Sequence, residues 1–187
     1  MLTVIRCLIY NEEVMGWLLD LGANVNASSR DAWWTTVHAA AVGASTPLFT
    51  RLIALGADIS RAPGMLALAA SAHRTTLNRI PVIQTLLDRG ADTDEYQGSS
   101  ISFEGQNFCE LLVWGRKDAL HHAVQRGSKE LVEFLLEKGA DSSIQTRSLT
   151  SEKRWIDVEQ LADICGHAEI RDMLTLHAKM KEAAVAA

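Results

Sequence analysis

Apolar residues recur in pairs along this chain, and every two such pairs are followed by the same small closing sequence. Val14-Met15 and Leu18-Leu19 precede Gly22-Ala23-Asn24, and Leu48-Phe49 and Leu52-Ile53 precede Gly56-Ala57-Asp58. Val82-Ile83 and Leu86-Leu87 precede Gly90-Ala91-Asp92, and Leu131-Val132 and Leu135-Leu136 precede Gly139-Ala140-Asp141. Positions i, i+1, i+4 and i+5 make one broad apolar face on a short helix. Just ahead of each set stands Glu13, Pro47, Pro81 or Glu130. Proline suits the first helical turn because its missing N–H has no partner there in any case, and glutamate suits it because of the helix dipole. The glycine then ends the helix in a left-handed conformation, which a side chain would oppose. The closures are spaced 34, 34 and 49 residues apart. A unit of about 33 residues, the scale of a stacked helical hairpin, is thus interrupted once by about 16 extra residues.

A second class of segment precedes three of these helices: Thr35 to Ala41 (TTVHAAA), Gly64 to Ala70 (GMLALAA) and Asp118 to Val124 (DALHHAV). Their small alanines let paired helices approach closely, and Thr35 or Asp118 can cap the helix start. These segments resemble the T-P-L-H-x-A-A motif of ankyrin repeats. A degenerate fifth unit, Gln160 to Leu174 with Gly166-His167 inside it, is similar to a terminal repeat of that family. The resemblance runs from about residue 2 to residue 178. It departs from the pattern in keeping one threonine at the motif's first position, no proline after it, and no leading motif in the first unit. The fold it implies is an all-α ankyrin-repeat solenoid of about five helix-turn-helix units with short finger loops. Its units fall near 1–26, 31–60, 61–94, 114–143 and 153–180 of a single domain spanning 1–187.

Composition narrows the function. The 187 residues are 48% hydrophobic and 22% charged, enough for one continuous core. A formal charge of -5 argues against a phosphate-backbone binder, so no nucleic acid partner is expected. Cys7, Cys109 and Cys165 are scattered and odd in number, which predicts neither a disulfide framework nor a zinc site, and a reducing compartment. The first ten residues lack a cationic leader, and Arg6 interrupts an apolar stretch too short for a membrane span. The expected setting is the cytoplasm, with the nucleus as the alternative, and no membrane, metal or cofactor.

Departures from the repeat mark candidate functional ground. About 5 residues lengthen the third unit around His73 to Arg79, about 16 lie within 93–117, and about 6 precede the last unit around Thr146 to Trp155. Insertions in repeat proteins map to loops, often on the binding face. In the long one, Ile101 and Phe103 alternate with polar residues as in a short strand; the segment either shapes the binding face or folds back on the stack. Leu2, Val4, Ile5, Leu8 and Ile9 surround most of a helix, whereas a terminal helix should turn a polar face outward. That predicts either further units upstream or a cover, the latter as a homodimer through the N-terminal unit. At the other end, Ala168 to Lys181 reads as a conventional cap and Ala183 to Ala187 as a fraying tail.

The resemblance implies a concave binding face made of inter-unit fingers and the exposed side of each first helix. Its partner-binding candidates are Asp31, Trp34 and Val42 in the second unit and Ser71 in the third. Trp114, Lys117, Gln125 and Arg126 follow in the fourth, and Lys153 and Arg154 in the fifth. Trp33, Trp34, Trp114 and Trp155 all stand just before a first helix, placed either to line the groove or, for Trp33 and Trp155, to plug gaps between units. The basic residues gather in the C-terminal half, which suits a protein or peptide partner with an acidic segment.

His38, His121 and His167 occupy motif positions where the resemblance implies structural hydrogen bonds to backbone between neighbouring units. His122, next to His121, points to another side of the helix, so the two do not clamp a metal. His73 opens an inserted loop; with His122, Asp118 or Glu104 it is the candidate acid–base group if the chain is an enzyme. Two readings follow. One is a protein- or peptide-binding adaptor. The other is a small-molecule or catalytic pocket between groove and insertion, lined by Trp34, Val42, Leu68, Phe103, Trp114 and His122.

Overall fold

Each set of apolar pairs becomes a helix, and each is buried where the pattern places its apolar face. The computed structural model describes residues 11–27, 35–59, 64–72, 78–95, 117–147 and 154–185, and these are mainly helical. The helices are α1 (Glu12–Asp20), α2 (Thr36–Gly43), α3 (Thr46–Ala54), α4 (Met65–Ala70) and α5 (Ile80–Leu87). They continue with α6 (Ala119–Gln125), α7 (Lys129–Glu137), α8 (Val158–Cys165) and α9 (Ala168–Val185). Between α7 and α8, β1 (Thr146–Arg147) pairs antiparallel with β2 (Trp155–Ile156), Thr146 opposite Ile156.

Contacts between helices repeat along the chain. α2 packs on α3, α4 on α5, α6 on α7 and α8 on α9, while α2 meets α4, α4 meets α6, α6 meets α8, and α3 meets α5. Helices α2, α4 and α6 are almost wholly buried because both flanks are covered, and their alanines make that approach feasible; all six residues of α4 are buried. The second helices bury one face: Leu48, Phe49, Leu52 and Ile53 in α3, and Leu131, Val132, Leu135 and Leu136 in α7. In α1 the burial is shallower, with Met15 and Leu19 inside but Val14 and Leu18 half-buried.

Helix starts follow the sequence. Pro47 and Pro81 lie in the first turns of α3 and α5, and Asn11 and Asp118 cap α1 and α6 by accepting the amides of Val14 and His121 at 3.2 and 3.0 Å. At every closure the glycine amide donates to the carbonyl three residues back and the alanine amide to the carbonyl five back, as in Gly56 to Ile53 and Ala57 to Leu52. This double bond pattern satisfies the last carbonyls of the helix and needs a left-handed residue, met by φ of 79° at Gly22 and 91° at Gly139.

Side chains then stitch one closure to the next. Asn26 Oδ1 accepts the amide of Asp58 at 2.8 Å while its Nδ2 donates to the Gly56 carbonyl at 2.9 Å. Asp94 Oδ1 accepts the amide of Asp141 at 2.9 Å. Asn26 and Asp94 stand at the same place in their units, so the third and fourth closures meet as the first and second do, although 47 residues rather than 32 separate the bonded pair. Asp94→Ala is expected to lower stability by about 1 kcal/mol, read as a shift in the urea midpoint. An unshifted midpoint would show that the fourth closure is held by helix packing alone.

Three sequence expectations change. The third unit's extra residues end in Arg79, which is buried and donates through both terminal nitrogens to the Ala44 carbonyl at 2.8 Å; this end of the insertion ties two units together and is not an open loop. Those before the last unit form the β1–β2 ladder at their ends. The C-terminal tail does not fray at Ala183, since α9 runs unbroken to Val185 on alanine, glutamate and lysine, all good helix formers. The apolar N-terminal segment and the Ile101–Phe103 strand lie outside the described residues.

Candidate functional site

Lys117 precedes α6, yet its ammonium donates to Oε1 of Gln125, the last residue of that helix, at 2.8 Å. The lysine side chain therefore lies along α6. It is 5% exposed, and burial holds its ammonium below the ordinary lysine range, an effect that the nearby Cys165 partly offsets. Cys165 ends α8, which packs on α6, and burial raises its thiol pKa against the pull of Lys117. Lys117, Gln125 and Cys165 thus converge at the C-terminal ends of two neighbouring helices. Arg126, next in sequence, is exposed, though partial burial lowers its pKa.

The β1–β2 ladder stands at the other end of α8. Trp155 is 52% exposed, and the Arg147 guanidinium lies 5.9 Å from the centre of its ring. That exposure excludes a gap-plugging role for Trp155, one of the two roles open in the sequence; its neighbour Ile156, fully buried, fills the core there. Arg154 is exposed beside it. Arg147 was not among the residues singled out from sequence; only its place opposite Trp155 reveals it, and no spacing rule encodes that register.

Of the other predicted binding residues, Val42 is half-buried on α2 and Ser71 is buried, its hydroxyl donating to the Leu68 carbonyl at 2.8 Å. Asp31, Trp34, Trp114 and Lys153 lie outside the described residues, as do His73, Glu104 and the pocket's Phe103. The two remaining acid–base candidates both lie on or at the start of α6. Asp118 is 2% exposed and accepts the His121 amide as the cap of α6, and His122 is buried within that helix.

The motif histidines sit at the starts of their helices or against the neighbouring unit. His38 Nδ1 accepts the Thr35 amide at 3.1 Å and lies 2.9 Å from the Thr35 hydroxyl, and burial pushes its pKa down to about 4. His121 Nδ1 lies 2.8 Å from Asp118 Oδ1, while its Nε2 has no hydrogen-bond partner among the described residues. The His167 ring does reach the preceding unit, covering Gly127, where an added Cβ would come within 2.6 Å of the imidazole.

Among the described residues no group of three or more His, Cys, Asp or Glu side chains could hold a metal. No helix among them is long and apolar enough to cross a membrane. No curated protein matches the chain. The family model described as Ankyrin repeat matches residues 117–147, the stretch from Lys117 through α6 and α7 to β1. The closures and the helix pairs agree with that match, which identifies residues 117–147 as an ankyrin repeat and supports an ankyrin-repeat protein.

Proposed function

We propose that this chain is a cytoplasmic interaction module, built as a solenoid of about five ankyrin-type units with its long insertion within 93–117. It binds a protein or peptide along the groove formed by its fingers and first helices. The observation that carries the reading is Trp155, 52% exposed on the ladder between α7 and α8 with Arg147 over its ring. A tryptophan buries a large area when covered, and tryptophan with arginine is the pair most enriched at binding hot spots. Arg154, exposed beside Trp155, and Arg126, exposed past the far end of α6, add positive charge, which favours a partner with an acidic segment. The small-molecule reading gains no comparable support, because Asp118 and His122 are buried in the start and body of α6.

The test is capture from a native lysate with the intact chain, with an Arg126→Ala, Arg154→Ala, Trp155→Ala variant, and with Trp17→Ala as the control for another exposed tryptophan. A partner held by the intact chain and the control, and lost from the triple variant at unchanged helicity, is the expected result. A partner retained equally by all three would place binding elsewhere on the molecule.

A further inference from the structure

We infer that the seam between α6 and α8 carries a carboxylate-binding subsite centred on the Lys117 ammonium, which takes an acidic side chain of the bound partner. The inference rests on the interaction reading above and assigns its partner a chemistry at one position. Lysine is almost never buried unless paired, yet Lys117 is 5% exposed and its hydrogen bond is to Gln125, a neutral amide that cancels no charge. Among the described residues no other group takes the remaining two of its three donors. Among the described residues no carboxylate pairs with it.

The folded chain tolerates this charge for a reason that also fixes its place. The side chain runs from Lys117 to the end of α6, and its ammonium is close enough to Cys165, the last residue of α8, for each group to shift the other's proton affinity. Carbonyl ends of two packed helices favour a cation there. The ammonium is therefore desolvated and positioned before any partner arrives, so a carboxylate gains a charge-assisted bond without a loss of lysine freedom. Arg126 adds a second positive group next to Gln125, and Ile164, 38% exposed beside Cys165, offers apolar surface for an aliphatic stem.

The experiment uses the full chain with carbon-13 in its lysines and a blocked oligoglutamate peptide as probe. The Lys117 Cε signal is expected to move saturably, with its proton affinity rising as the carboxylate binds. Lys117→Gln should weaken binding about tenfold, the worth of one charge-assisted bond, at unchanged helicity. Affinity unchanged in Lys117→Gln but weakened in Arg154→Gln would overturn the subsite while leaving the groove reading intact. No binding of the peptide to the intact chain would overturn it too, and partner capture would still decide the broader proposal. Inorganic phosphate reproducing the Lys117 signal change would overturn the carboxylate assignment in favour of a general anion hole.

Discussion

Phe49→Ala is expected to lower the unfolding free energy by about 3–5 kcal/mol, the usual loss when a buried aromatic ring leaves a cavity. The ring is fully buried at the centre of α3, which contacts both α2 in its own hairpin and α5 in the next. The void therefore weakens packing within and between units. A domain has only about 5–15 kcal/mol of stability in total, so this one ring accounts for a large part of it. Urea unfolding of the variant measures the loss. Amide exchange would locate it, because stacked repeats depend on nearest neighbours and the second unit should open first. Trp17→Ala supplies the contrast: at 60% exposure it should change stability by less than about 0.5 kcal/mol. Equal losses at the two positions would contradict the burial that sets them apart.

Acidification should act through His38. Its pKa falls from 6.5 to about 4 on folding because the ring is buried. Protonation would also turn Nδ1 from the acceptor of the Thr35 amide into a donor facing it. Between those two pH values the unfolded chain binds the proton and the folded chain does not, so stability rises with pH across the window. The contribution is fully present above pH about 6.5 and is lost as pH falls to about 4, amounting to about 3 kcal/mol. Urea midpoints for the intact chain and His38→Gln, taken from pH 7 down to pH 4, check this. The intact chain should show the steeper decline, and parallel curves would remove His38 as the cause.

Why some of this was legible in the sequence and some not follows from the range of each interaction. The Gly-Ala-Asp closures are local: six residues, Leu52 to Ala57 in the second, contain both the positive φ and the two amide bonds it enables. The apolar pairs carry a helical period, so the buried face of α3 or α7 could be marked without knowing its neighbours. The family match over 117–147 coincides with the unit whose motif, Asp118 to Val124, is among the clearest. The candidate site was less readable. Arg154 and Trp155 were named from their place before a first helix, but Arg147 joins them only through strand register. Lys117 was named as a groove residue by analogy of position. The thiol that shares its surroundings, Cys165 at the end of α8, lies 48 residues further along the chain. Arg79 was read as loop because its partner is the Ala44 carbonyl, a backbone atom that no side-chain pattern reveals.

The bond from Asp141 to Asp94 has a consequence for how this chain can change. Its donor and acceptor bracket the inserted stretch, so the register between the third and fourth closures is fixed by residues outside it. Closing a longer loop between fixed ends costs only about 0.6 kcal/mol for each doubling of its length. A change of length between Glu95 and Lys117 is therefore expected to leave the bond from Asp141 to Asp94, and the register it sets, in place. The repeat architecture supplies a graft point at which new recognition can be tried while the old surface persists.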